Sequence, residues 1–387
     1  MKFYNREAKE IRYKGLDQND NAEISSRVIN EEINYKDFEE NFEINGELLK
    51  VDKKLGHGYF GNVSEGKLQM EAERDVSLAV AVKTAKDDNK EKYEEKKELL
   101  LKEILVMCAI AKQKHANVLA IIGAVTVDPA AVSIVMEIAH TDLQTYLEHH
   151  KGFTNRFVPV DRNDATSDEE NRKTNTYRKE EYVVNNDLNT LDTFELVLFA
   201  YQIANGMKHL ASIPCVHRDL KLRNVLITKN KTIRIGDFGL ARKHKDRNYY
   251  TETKGIIPIH AAPETKENYK FTEKSDVWSF GLCLYDLFTL GTKKLSELSE
   301  SAEDFSTKHK RLTEPQHCRS DLFEFIELCW EFNPVHRPNF ITAVYIFKCE
   351  LGRFSDHTFN EIEAKLKLEL EEQKKLEDWV PKKKLYD

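Results

Sequence analysis

The sequence predicts an α+β chain in which strand-like runs come first and helices dominate later. Three observations predict it. Leu49-Lys50-Val51-Asp52 alternates between apolar and polar side chains, and the apolar run Leu78-Ala79-Val80-Ala81-Val82 has the length of a strand. Residues 91 to about 112 carry Leu100, Ile104, Met107, Cys108 and Ala111 at the spacing of one helical face. Beyond residue 190 helical patterns prevail, at 191–210 and 275–290.

With 387 residues the chain holds one large or two ordinary domains. Acids and bases are mixed along it and net charge is −7, so no nucleic-acid footprint is present. Cys108, Cys215, Cys283, Cys318, Cys329 and Cys349 are scattered without metal-ligand spacing and read as buried thiols of a reducing compartment. No apolar stretch reaches the length of a membrane span, and the N-terminus lacks a signal-peptide core. The expectation is a soluble, intracellular chain, or the inner half of a longer membrane protein.

Taken in order, residues 1–44 form a polar, acidic leader, expected to be mobile, with Tyr4, Tyr13 and Tyr35 in it. Two alternating runs then flank Gly56-His57-Gly58-Tyr59-Phe60-Gly61-Asn62-Val63. Glycines in such a turn let backbone N–H groups approach phosphate oxygens without Cβ interference; a plain hairpin turn is the alternative. A strand rather than a helix follows, which argues against a dinucleotide site. Lys83 ends the next strand, either snorkelling or waiting for a carboxylate. Residues 117–123 and 132–137 read as two more strands, and 141–148 as a short helix. Residues 151 to about 190 lose periodicity and form a polar insert containing Tyr177 and Tyr182. Past residue 351 a charged tail carries Phe359, Ile362, Leu366 and Gln373 at helical spacing, although Lys365-Leu366-Lys367-Leu368-Glu369-Leu370 also fits a strand.

The chemistry concentrates in Val216-His217-Arg218-Asp219-Leu220-Lys221-Leu222-Arg223-Asn224, followed by the apolar Val225-Leu226-Ile227. Asp219 and Asn224 lie five apart, close enough to face one cavity from a tight loop. Thirteen residues on, Asp237-Phe238-Gly239 fits an oxygen ligand held on a turn. Hard cations such as Mg²⁺ take one or two carboxylates plus phosphate oxygens. Asp219 is therefore the candidate base, with Asn224 and Asp237 the candidate metal ligands.

This loop resembles the catalytic loop of protein kinases, and Asp237-Phe238-Gly239 resembles their metal-binding turn. The resemblance runs over residues 45–352 and implies two lobes, an N-lobe of 45–137 and a C-lobe of 138–352, with ATP and Mg²⁺ between them. It implies that Leu55, Gly56, Gly58, Gly61 and Val63 cover the nucleotide, that Val63 and Ala81 sandwich adenine, and that Glu137 and Ile138 belong to the hinge behind gatekeeper Met136. Lys83, in Val80-Ala81-Val82-Lys83, would hold the phosphates, paired with Glu103 or, as runner-up, Glu98. Asp276 would cap the catalytic-loop backbone, and Arg337 would pair with Glu264. Tyr249 and Tyr250 resemble an activation-loop phosphosite, with Arg218 as the expected phosphate acceptor and Tyr182 a further docking candidate for phosphotyrosine-binding adaptors.

Tyrosine is the expected target. The polar insert resembles that of the split-kinase receptors for fibroblast, vascular endothelial and platelet-derived growth factors. Arg223 just before Asn224 and Pro258 ahead of Ala262-Pro263-Glu264 agree with a tyrosine kinase, whereas Lys221 is the residue that serine/threonine kinases use. A serine/threonine or dual-specificity kinase is thus the alternative, and a pseudokinase scaffold the rival of a different class. Two departures touch substrate docking: the segment 258–264 lacks the family's Trp and is one residue short, and Lys293-Lys294-Leu295 replaces a proline-bearing loop. The resemblance places the chain in the cytoplasm, or at the cytoplasmic face of the plasma membrane if it belongs to a receptor.

Overall fold

Alternation along the first strands builds a sheet with two different faces. The computed structural model describes residues 42–58, 61–69, 76–85, 89–126, 132–150, 152–154, 190–213, 215–243, 249–250, 257–258, 260–293, 312–354 and 358–379. The leader up to residue 41, Tyr59 and Phe60, the insert tyrosines Tyr177 and Tyr182, and Lys294-Leu295 lie outside the described residues. Strands β1 (Leu49–Gly58), β2 (Gly61–Gln69) and β3 (Ser77–Thr84) precede helix α1 (Lys90–Ala111), and β4 (Ile121–Val125) and β5 (Ser133–Glu137) follow it. They form an antiparallel sheet of order β1-β2-β3-β5-β4. Period two sends Val80 and Val82 to one face, where they pack with Ile44, Leu68, Ile122 and Val135. Ala81 and Lys83 share the other face, and Ala81 joins the main core with Leu100, Ile104 and Met107 of α1. Asn89 caps α1 by accepting from the N–H of Lys92 at 3.2 Å.

Two expected boundaries move. Glu43 and Ile44, expected in the leader, are buried; Ile44 donates to the Ala124 carbonyl at 2.8 Å, and the Glu43 carboxylate accepts from the N–H and hydroxyl of Thr126. The strand expected at 117–123 starts only at Ile121, because Asn117 is spent on a turn: its amide donates to the Gln202 side chain at 3.0 Å and the Ile233 carbonyl at 3.1 Å.

The second half opens with β6 (Thr141–Asp142) and the short α2 (Leu143–His149), capped by Asp142. Strands β7 (Gly152–Thr154) and β8 (Thr190–Asp192) pair in parallel, so the polar insert leaves and re-enters the fold at one place. The buried helix α3 (Thr193–Ser212) starts on a capping box of Asp192 and Glu195. Then come β9 (Cys215–Val216), β10 (Val225–Ile227), β11 (Ile233–Ile235), β12 (Arg242–Lys243) and β13 (Tyr249–Tyr250). Helix α4 (Pro263–Asn268), strand β14 (Lys270–Phe271) and helices α5 (Glu273–Phe288), α6 (Ser320–Cys329) and α7 (Phe340–Gly352) complete the helical part. The charged tail forms α8 (Thr358–Trp379), a helix rather than a strand; Ile362 and Leu366 bury on one face of it. A sheet-rich first part and a helical second part give the α+β architecture that the pattern predicts and the two lobes that the resemblance implies.

Five of the six cysteines are buried and Cys349 is half-buried; none forms a disulfide. Among the described residues no helix is long and apolar enough to cross a membrane.

Candidate active site

Lys83 is the electrostatic centre. β3 carries it inward on the Ala81 face, and its Nζ lies 2.8 Å from both Glu103 carboxylate oxygens and 2.9 Å from Asp237 Oδ1. Burial works against the ammonium, but the two carboxylates outweigh it and lift Lys83 above the ordinary lysine range. Burial would raise Asp237; the Lys83 ammonium first, and Lys221 after it, hold it below the usual carboxylate range instead. Glu98, the runner-up, turns outward and pairs with Lys102 at 2.6 Å on the exposed side of α1. Packing of the Leu100–Ile104 face toward the sheet makes that choice.

The loop between β9 and β10 is clamped from below and behind. Asp276, in the first turn of α5, accepts from the N–H groups of His217 at 2.8 Å and Arg218 at 2.9 Å, as expected of it. Burial pushes its carboxyl up to about 6, while the two backbone donors pull the other way. The His217 ring bridges the two chemical segments: Nε2 meets the Gly236 carbonyl at 3.0 Å, and Nδ1 accepts from the Asp219 N–H at 3.3 Å. That pattern requires the neutral tautomer with its proton on Nε2. Asn224 donates to the backbone carbonyl of Asp219 at 2.7 Å and to its Oδ2 at 2.8 Å. Both amide hydrogens are thereby engaged, which leaves the Asn224 carbonyl oxygen as its free chemical function. Arg218 and Asp237 both adopt left-handed backbone, φ 72° and 58°. Such strain concentrates where surrounding structure fixes a side chain for use.

Around this centre the sheet aligns Gly56, Val63, Lys83 and Ile134 in one cross-strand row. Gly58 pairs with Gly61 at the turn. Gly61 is required for a local reason: φ is 149°, and a Cβ there would meet the Thr84 carbonyl oxygen at 2.3 Å. A Cβ on Gly56 would meet nothing within 4 Å, so packing does not require glycine there. Leu55 is exposed, Ala81 buried, and Met136 sits opposite Ala81 on β5. Glu137 and Ile138 follow directly. The Glu137 carboxylate faces away into a polar cluster, accepting from the Ala120 N–H at 2.8 Å and pairing with Arg234 at 3.2 Å.

On the opposite side Lys221 reaches Asp219 at 3.0 Å, and His260 Nε2 lies 3.5 Å from its Oδ1. His260 occupies the shortened segment that lacks the expected tryptophan, so a buried imidazole borders the candidate base. Pro258 is buried and its carbonyl accepts from Ala261. Arg223 lies exposed on the 3₁₀ turn 222–224. Arg218, the expected phosphate acceptor, stacks its guanidinium 3.7 Å above the Phe271 ring. The backbone of Tyr249 and Tyr250 pairs with β14 opposite Phe271 and Lys270.

The comparisons with known proteins agree with this geometry. Residues 49–346 match the model of the protein tyrosine and serine/threonine kinase family. The chain is 40% identical over 378 residues to the receptor-like tyrosine-protein kinase kin-15 of Caenorhabditis elegans, covering 94% of this chain and 76% of that protein. It is 34% identical to the tyrosine-protein kinase receptor old-1 of the same organism, covering 94% and 71%. Against the mast/stem cell growth factor receptor kita of Danio rerio identity is 27%, covering 85% and 37%. The chain is a receptor-type protein-tyrosine kinase.

Lys221, the serine/threonine-like residue of this kinase, thus stands in a chain whose relatives kin-15 and old-1 are named tyrosine kinases. Other residues of the kinase escaped the sequence reading. Arg234 is fully buried in β11, bound to Glu137, to the Ala116 carbonyl and, at 2.6 Å, to Glu369 of α8. The signal was available: a lone arginine within Ile233-Arg234-Ile235 needs carboxylate partners once buried. Gln373 belongs to the helical stripe of the tail, and nothing local marks its contact with Glu137. His260 stands in a segment that reads as a departure, with no pattern to announce its approach to Asp219.

Proposed function

We propose that this kinase transfers the γ-phosphoryl group of ATP, bound with Mg²⁺, to tyrosine hydroxyls of proteins, its own activation segment included. One observation carries the assignment: Lys83 binds Glu103 and Asp237 at once while Asn224 is locked onto Asp219. In this reading Lys83 positions the nucleotide phosphates, with Glu103 holding the ammonium in place. Asp219 orients the tyrosine hydroxyl and takes its proton as the oxygen forms a bond to the γ-phosphorus and the bond to the β–γ bridging oxygen breaks, releasing ADP. Arg223 borders the acceptor side. Leu55, Gly56, Gly58, Gly61 and Val63 form the lid, Ala81 packs on adenine, and the backbone of Glu137 and Ile138 hydrogen-bonds its edge.

The donor set suits magnesium. Among the described residues no group of three or more His, Cys, Asp or Glu side chains forms a complete metal cage. A hard cation that keeps phosphate oxygens and water in its shell needs only one or two protein oxygens, and Asp237 and Asn224 supply those. When bound, the ion neutralises charge on the phosphates.

Residues 45–352 form the catalytic unit of this proposal, Tyr249 and Tyr250 its autophosphorylation sites, and Tyr182 a docking site for phosphotyrosine-binding adaptors. The relatives are named as receptor or receptor-like kinases, which supports a cytoplasmic location for this unit, at the cytoplasmic face of the plasma membrane if it belongs to a receptor. Phosphoamino-acid analysis after incubation with ATP and Mg²⁺ tests the central claim. Phosphotyrosine is expected and chelation of the metal abolishes it; phosphoserine alone overturns the specificity, and no incorporation overturns the activity.

A further inference from the structure

The tail helix α8 carries polar side chains into the protein where the two lobes join. At its start, Phe359 packs edge-on against Tyr201 of α3, centroids 5.6 Å apart, and the Tyr201 hydroxyl donates to Glu363 at 2.6 Å. Ile362 and Leu366 bury beside it. One turn further, Glu369 accepts from Asn230 at 3.1 Å, Thr232 at 3.2 Å and Arg234 at 2.6 Å. At the far end the amide of Gln373 donates to the Glu137 carboxylate at 2.7 Å, and the Lys114 ammonium donates to the Gln373 carbonyl at 3.1 Å. Residues 359, 362, 366, 369 and 373 share one helical stripe, and it runs about 21 Å at 1.5 Å per residue.

The stripe thus begins on the helical lobe and ends on Glu137 and on the turn after α1, both of the sheet lobe. Glu137 is the residue whose backbone starts the hinge. Its carboxylate is held from three sides, by Ala120 N–H, Arg234 and Gln373. Arg234 stands on β11, which ends at Ile235, two residues before Asp237, so Glu369 grips the segment that leads into the candidate metal-binding carboxylate.

We propose that α8 is an intramolecular strap across the back of the hinge, and that Gln373 and Glu369 are positioning residues for nucleotide binding. They touch neither substrate nor reacting atoms; they act through Glu137 and Arg234. The inference rests on the ATP site proposed above. Mutations along hydrogen-bonded networks of this kind change the coupling between sites by about 0.5–2 kcal/mol, which corresponds to about two- to thirty-fold in affinity.

The test uses the full chain with Gln373→Leu, which removes the donor at similar volume, and Glu369→Gln, which keeps the shape and removes the charge. Leu368→Ala, on the exposed side of α8, is the control. The strap predicts that KM for ATP rises about two- to thirty-fold in both variants, while kcat and KM for the peptide stay within two-fold and the control matches wild type. A packing role alone would lower the melting temperature and the active fraction but leave KM for ATP unchanged. If wild type shows saturable ATP use and both folded variants keep its KM for ATP within two-fold, the strap is wrong and the active-site assignment stands. If wild type uses no ATP, the site assignment fails and the strap with it.

Discussion

Lys83 and Arg337 are both buried cations bound to carboxylates, yet they are satisfied differently. Arg337 spends all its donors on fixed acceptors: both Glu264 oxygens, at 2.7 and 2.8 Å, and the carbonyls of Glu331, Lys274 and Phe332. One cation meets one carboxylate, the guanidinium stands 5.0 Å from the Trp278 ring, and its side chain has no exposed surface. Lys83 instead faces two carboxylates, and the Asp237 side chain remains 36% exposed. That cluster carries surplus negative charge beside an open cleft, which a metal ion and a polyphosphate together can balance. A closed pair holds a fold, whereas an unbalanced one invites a ligand.

Mutation separates the two kinds of cluster. The largest effect belongs to Asp219→Asn, which should lower kcat by about 10²- to 10⁴-fold with the melting temperature retained, because a positioned base contributes that much. Steady-state phosphotransfer read against a thermal melt checks it; Lys83→Met is expected to behave alike, and activity surviving in both variants would sink the assignment. Arg337→Ala should do the reverse, costing about 3–5 kcal/mol of stability by leaving Glu264 buried without its partner. Denaturant unfolding measures this, and a loss below 1 kcal/mol would place Arg337 among ordinary surface ions. Glu103→Gln lies between, because Lys83 keeps Asp237 but loses a charge-assisted bond worth about 1.5–3 kcal/mol. A fall in kcat/KM of roughly 10- to 100-fold is expected, and an unchanged value would return Glu98 to consideration.

The smallest effect is a pH dependence in the tail. Burial would raise the Glu369 carboxyl, but Arg234 and its other partners outweigh it and hold the group below the ordinary glutamate value of 4.5. A depressed folded pKa stabilises above the unfolded value and loses that contribution as pH falls through the folded one. Wild type should therefore melt above Glu369→Gln at neutral pH, and the gap should close on acidification below 4.5. A gap that persists or widens in acid would show that the Arg234 contact is not what Glu369 contributes.

Much of the cleft was legible because its groups are local to one another. His217 to Asn224 and Asp237 to Gly239 lie in short segments whose residue types already state an acid–base and metal chemistry. The apolar run 78–82 likewise announced a strand ending at Lys83; that Ala81 and Lys83 share its inner face is seen in the sheet. The boundaries were less legible: Ile44 joins the sheet lobe through a bridge to Ala124, eighty residues away, and Asn117 leaves the strand pattern for partners on α3 and β11. No window of sequence contains those partners.

By itself the sequence determined which chemical groups the kinase owns and the order in which they arrive. Spacing is a local property, read from propensity and periodicity. Which partner each charge takes was decided in three dimensions. Glu98 and Glu103 ride the same helix, and only the burial of the Leu100–Ile104 face turns one toward Lys83 and the other to solvent. Glu137, Arg234 and Gln373 stand far apart in the chain and meet because α8 lies across the junction of the lobes. A buried polar group must find a partner, and the packing of apolar faces fixes which one comes within reach.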